Sequence, residues 1–252
     1  ANILPLAFDM VPAQYRDEVC KNVITSIITT NKGHISCGVI GVQWLMRELT
    51  RMGRGDVAFL LASNKTYPSW GYMIENGATT IWELWNGDTA SAKMNSGNHV
   101  MLLGDLLSWC YRDLAGISPA KPGYKEIIMK PDFSIDELSY INASYVTPYG
   151  KVTSNWKKNL MHLDWDITVP CNTTALVYLP VTDEKAVKDA NITFVRHEGN
   201  STVWRVASGT YHLSVALNPS AGKESPCIVE SHFLYESAPF PQAHSASIAE
   251  TP

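Results

Sequence analysis

Tyr67-Pro68-Ser69-Trp70-Gly71-Tyr72-Met73-Ile74-Glu75-Asn76-Gly77-Ala78-Thr79-Thr80-Ile81-Trp82-Glu83-Leu84-Trp85 is the most informative stretch of this 252-residue chain. It sets Trp70, Trp82 and Trp85 beside Glu75 and Glu83, between segments of helical period. Indole rings offer flat apolar faces to the C–H faces of a pyranose, and a carboxylate can hold hydroxyls or activate water. The same residue types also build ordinary cores. The residues alone therefore leave a sugar site and a packed interior both open.

Upstream of this stretch the chain repeats a helical period. After Pro12, the residues Tyr15, Val19, Val23, Ile24, Ile27 and Ile28 recur at three- and four-residue spacing, which predicts an amphipathic helix ending near Asn31-Lys32-Gly33. A second is expected from about Val39, with Val42, Leu45, Met46 and Leu49 on one stripe and Gly53 and Gly55 closing it. A third, shorter one carries Val57, Ala58, Leu60 and Leu61. Downstream, from Asn98 to Leu114, apolar residues cover nearly the whole circumference, as in a helix buried on both sides, with Ser96 as N-cap and Gly116 as the stop.

After Pro119 and Pro122-Gly123 the period switches from 3.6 to 2, and a domain boundary is placed there, dividing residues 1–120 from 121–217. The clearest strand puts Met161, Leu163, Trp165, Ile167 and Val169 on one face and His162, Asp164, Asp166 and Thr168 on the other. Further strands are expected over 126–130, 139–146, 174–179, 202–207 and 211–217, a pattern that reads as an antiparallel β-sandwich. Residues 218–252, rich in Ser, Pro and Ala, read as a loose tail.

Twenty Lys and Arg against 24 Asp and Glu give a net charge of -4, too mild for a grip on nucleic acid or anionic lipid. No apolar run reaches the roughly 20 residues of a membrane span. Cys20, Cys37, Cys110, Cys171 and Cys227 show no metal or redox spacing and read mostly as small buried hydrophobes, so neither metal nor cofactor is expected. Five glycosylation sequons, at Asn64, Asn142, Asn172, Asn191 and Asn200, are of a kind that arises by chance in Asn/Thr-rich strands.

Gly38-Val39-Ile40-Gly41, Gly53 to Asp56, the run from Thr66 to Trp85, Asn98-His99 and Leu114-Ala115-Gly116-Ile117 followed by PGYKEI resemble, in that order, the second half of the catalytic domain of family-78 α-L-rhamnosidases. Thr147-Pro148-Tyr149-Gly150, Trp156 and the run from Val169 to Thr174 resemble that family's C-terminal β-domain, so the likeness covers residues 1–217. It implies the second half of an (α/α)6 toroid followed by an antiparallel β-sandwich. It also implies Glu83 as the general base of an inverting mechanism and His99 as a contact to rhamnose. Trp70, Trp82 and Trp85 are then candidate sugar platforms. Inversion needs a second carboxylic acid about 6.5–9.5 Å from the base, and the resemblance places it in a segment upstream of Ala1. The implied partners are a rhamnose-containing glycoside and the N-terminal part of the same protein, in a periplasmic or extracellular bacterial setting. Val100 stands where many relatives carry an aromatic after the His.

Other carboxylates read more blandly. Glu75 is expected as a solvated or capping group at a helix end, Asp88 as a loop residue, and Asp164 and Asp166 as a wet sheet face rather than a calcium site. Two other functions stay open: a carbohydrate-binding or structural piece without catalysis, and another (α/α)6 glycosidase. A lyase acting on a uronate is disfavoured, because the run ending in Trp82-Glu83 offers no Arg or Lys cluster for the acid.

Overall fold

The computed structural model describes residues 2–91, 93, 96–187 and 191–217; the tail expected over 218–252, with Cys227, lies outside them. The helical part begins with α1 (Ile3–Ala7) and α2 (Ala13–Thr25), which widens into a π turn over Ser26–Thr30 and stops at Gly33. It continues through α3 (Val39–Arg51), α4 (Gly55–Ser63) and α5 (Trp70–Glu75). Most of each stripe read from the sequence faces one core: Val23, Ile24 and Ile27 meet Val42, Leu45, Met46 and Leu49, and Val57, Ala58 and Leu61 complete it, whereas Tyr15, Ile28 and Leu60, expected on the same stripes, are exposed. Burying each larger aliphatic side chain contributes roughly 1.5–3 kcal/mol. Glu48 is buried on this stripe too, held by Arg16 at 3.0 Å and Arg51 at 3.6 Å. No helix among the described residues is long and apolar enough to cross a membrane.

The long inner helix expected from Asn98 to Leu114 is broken. Its first part is a 3-10 turn, Val100–Leu103, and after Gly104 come α6 (Leu106–Trp109) and a π turn, Cys110–Leu114. The break has a steric cause: Gly104 sits at φ 58°, and a Cβ there would come within 2.9 Å of the Val42 carbonyl. The nearly all-round apolar pattern also overstated burial. Leu102, Trp109 and Leu114 are in the core, whereas Val100, Met101 and Leu107 are exposed.

The β part is a two-sheet sandwich. Strands β1 (Ile117–Pro119), β2 (Glu126–Met129), β6 (Thr174–Leu179), β8 (Ser201–Val206) and β7 (Ile192–Glu198) lie side by side in one sheet. In the other the order is β3 (Tyr140–Thr147), β4 (Gly150–Lys158), β5 (His162–Val169) and β9 (Gly209–Ala216). All pairings are antiparallel except β2 with β6, because the chain leaves the first sheet for β3 to β5 before returning. Leu163, Trp165, Ile167 and Val169 point inward from β5 as the alternation requires, but Met161 is exposed and precedes the strand. Trp156 and Trp165 face each other across β4 and β5, and the ring of Phe133 meets both edge-on at 5.4 Å.

The cysteines depart from expectation. Cys20, Cys37 and Cys110 are only partly buried against the helical core and Cys171 is exposed in a turn, all four as free thiols. Burial still pushes the Cys37 thiol up to about 11.

Candidate active site

Ser69, wholly buried, opens α5 by accepting a hydrogen bond from the Tyr72 amide at 3.0 Å. The helix ends on Glu75, which makes an exposed ion pair with Lys65 at 2.9 Å, in keeping with a solvated carboxylate. Beyond Gly77 the chain leaves the helix in turns and bends, and indole hydrogen bonds tie α5 and this segment to neighbouring backbone. The indole of Trp70 donates to the Leu102 carbonyl at 3.1 Å, and that of Trp85 to the Cys37 carbonyl at 3.2 Å. The two rings meet edge to face at 5.6 Å. Trp70 and Trp82 are core residues, 3% and 9% exposed, so of the three indoles only Trp85 retains appreciable exposed surface.

Glu83 emerges half-buried next to Trp82. Its Oε2 accepts from the Ser96 amide at 2.9 Å, and its own amide donates to the Ser96 carbonyl at 3.0 Å. Three residues further on, the His99 amide donates to the Ile81 carbonyl at 2.7 Å. Residues 81–83 and 96–99 are thus laced together, and Glu83 and His99 come from facing segments of that pair. Thr80 Oγ1 donates to Asn98 Oδ1 at 2.9 Å at its outer end.

His99 is not in the first turn of a helix, as the spacing suggested, but in non-helical backbone just before the 3-10 turn. Ser96 likewise does not cap a helix: the turn begins at Val100 with His99 at its N-cap, and the Ser96 Oγ is bonded to the main chain of Asn98. Among the described residues the buried His99 Nδ1 has no hydrogen-bond partner, an arrangement that costs free energy unless a further group satisfies it. Arg47 of α3 grips Asp105, next to Gly104, with two bonds of 2.7 and 2.9 Å and ties the broken inner segment to α3.

Away from this region, Asp88 accepts from the Tyr72 hydroxyl at 2.7 Å. Asp164 and Asp166 lie on the exposed face of β5, bonded to Ser214 and His212. Among the described residues no group of three or more His, Cys, Asp or Glu side chains could hold a metal ion.

Chemically, among the described residues, the pair offers a carboxylate with one oxygen fixed by an amide and the other available, and an imidazole whose Nδ1 lacks a partner. Sequence reasoning missed the Ser96 amide and the Thr80–Asn98 bond. The first is main chain and leaves no side-chain signal; both Thr80 and Asn98 belong to the motifs quoted above.

Residues 1–114 match the family model of the bacterial alpha-L-rhamnosidase 6 hairpin glycosidase domain, and residues 116–194 that of the bacterial alpha-L-rhamnosidase C-terminal domain. An alpha-L-rhamnosidase of Streptomyces avermitilis is 33% identical over 220 residues, covering 85% of this chain and 21% of the relative. One from Formosa agariphila is 34% identical over 197 residues, 76% of this chain and 21% of the relative. Among solved structures, the Streptomyces avermitilis alpha-L-rhamnosidase complexed with L-rhamnose superposes with a TM-score of 0.78 at 32% identity, over 85% of this chain and 21% of that one. The enzyme from Dictyoglumus thermophilum gives 0.76 at 33% identity, over 86% of this chain and 25% of that one. The chain thus spans about a fifth of the length of the curated relatives it matches.

Proposed function

The chain belongs to the bacterial α-L-rhamnosidase family, and on that footing we propose that the enzyme it forms part of hydrolyses terminal α-L-rhamnosyl linkages with inversion, Glu83 serving as general base. The observation that carries the assignment is the Glu83–Ser96 bond, which fixes one carboxylate oxygen and leaves the other to take a proton from water. In this reading His99 lies beside the base and satisfies its orphaned Nδ1, directly or through water, when sugar is bound. Trp85 is the indole with surface left to offer the ring, while Trp70 and Trp82 are buried in the helical core.

Inversion needs an acid on the opposite face of the sugar to protonate the departing oxygen. We assign that acid to a part of the enzyme outside these residues, so the chain by itself is inactive and its N-terminal part is an obligatory partner. The periplasm or the extracellular space is the proposed location. The test is to give the full-length enzyme and this chain alone an aryl α-L-rhamnoside, and to follow the first-formed sugar by NMR. The β-anomer is expected from the full-length enzyme only. A first-formed α-anomer would overturn inversion, and the absence of any hydrolysis would favour a carbohydrate-binding module.

A further inference from the structure

We propose that Thr80 and Asn98 are positioning residues for Glu83, an inference that rests on the assignment of Glu83 as base. Glu83 and Ser96 are thirteen positions apart in the sequence, and bringing them together costs chain entropy. Main-chain bonds at Glu83–Ser96 and His99–Ile81 hold the two segments together. The Thr80 hydroxyl closes the outer end of the pair on Asn98 Oδ1 at 2.9 Å. Asn98 is in turn coupled to Ser96: its amide donates to Ser96 Oγ at 3.2 Å, and Ser96 Oγ donates back to the Asn98 carbonyl at 3.2 Å. Ser96 then presents its own amide to Glu83 Oε2. Through the covalent frames of Asn98 and Ser96, these bonds connect the exposed Thr80 hydroxyl to the carboxylate. Its function is to hold that carboxylate in register with the water it activates, since a misplacement of about 1 Å can cost on the order of 10²-fold in rate. Thr80 and Asn98 are both solvent-exposed, so replacing them leaves the core intact.

The test compares Thr80→Val, Asn98→Leu, the double variant and Thr80→Ser in the full-length enzyme, with Glu83→Gln beside them. Thr80→Val and Asn98→Leu should each lower kcat roughly three- to tenfold, the range that one lost hydrogen bond spans. KM should stay within about twofold, whereas a residue that bound the sugar uniformly would raise KM instead. The double variant should be no worse than either single one, because both remove the same bond, and Thr80→Ser should restore the wild-type rate. Wild-type kcat in Thr80→Val, or an effect confined to KM, overturns the positioning role while an inactive Glu83→Gln leaves the base assignment standing. An active Glu83→Gln overturns both.

Discussion

The indole Nε1 of Trp156 on β4 donates to the carbonyl of Leu114, 2.9 Å away at the end of the last helical turn. Next to it Ser154 Oγ donates to the Ala115 carbonyl at 2.6 Å and accepts from the Trp165 indole at 2.9 Å. A helix end leaves carbonyls without partners, and here the β-sandwich supplies the donors from its own core. The same stretch turns sharply at Gly116, whose φ of 76° and 2.3 Å approach of a Cβ to the Pro131 nitrogen admit no side chain. The helical and β parts are thereby joined through buried hydrogen bonds.

Trp156→Phe should keep most of the ring packing but strand the buried Leu114 carbonyl, costing about 1–3 kcal/mol. Trp156→Ala adds a cavity and should cost roughly 3–5 kcal/mol. Denaturant unfolding of the full-length enzyme measures both, and a Phe variant as stable as wild type would show that the indole bond contributes nothing.

Glu83→Gln retains shape and one acceptor oxygen for the Ser96 amide but cannot take a proton from water. Turnover should fall on the order of 10²–10⁴-fold, with rhamnose affinity comparatively intact by calorimetry. Activity within a few-fold of wild type would sink the assignment.

Asp113, in the last turn before the sandwich, has its carboxyl pushed up to about 7, chiefly by burial, with Asp132 and Asp105 adding to the shift and Arg112 and Arg47 opposing it. A raised carboxylate keeps a proton in the folded state that the unfolded chain has already released. Its contribution is therefore fully present below about pH 4 and is lost as pH rises to about 7, amounting to ~2–4 kcal/mol. Asp113→Asn should make the protein more stable than wild type at pH 8 and leave it little changed at pH 4. Parallel stability curves for the two proteins across that window would refute this reading.

How much of this was legible in the sequence depended on how cleanly each element separates its faces. The stripes through Val23 and Ile27 and through Val42 and Leu49 did so, as did the alternation of β5. Strand β4 escaped because its inward row, Val152, Ser154 and Trp156, includes a hydroxyl whose partner is a distant carbonyl. Strand β7 escaped because a bulge between Phe194 and Arg196 breaks its period. At the site, the resemblance pointed to Glu83 and His99, which lie on segments hydrogen-bonded to each other. What holds them is backbone pairing, and backbone amides have no residue identity to read.

Ile40, Ile74, Val100, Met101 and Leu107, all in the helical part, are 67%, 70%, 68%, 59% and 57% exposed. Single exposed apolar residues are ordinary, but this many on α3, α5 and the broken inner segment favour association with another surface. In the proposed enzyme that surface belongs to the N-terminal part of the same protein, which also brings the general acid. Produced alone, the chain should self-associate; co-produced with the remainder of its protein, it should stay bound to it. Size-exclusion chromatography with light scattering decides the point, and a monodisperse monomer of 27.9 kDa that persists at high dilution would contradict it. The isolated chain should also hydrolyse no aryl rhamnoside, because Glu83 without an opposing acid leaves the departing oxygen unprotonated. Hydrolysis by the purified monomer would mean that the acid lies within these residues, and Glu75, exposed at the end of α5, is the first to replace in that case.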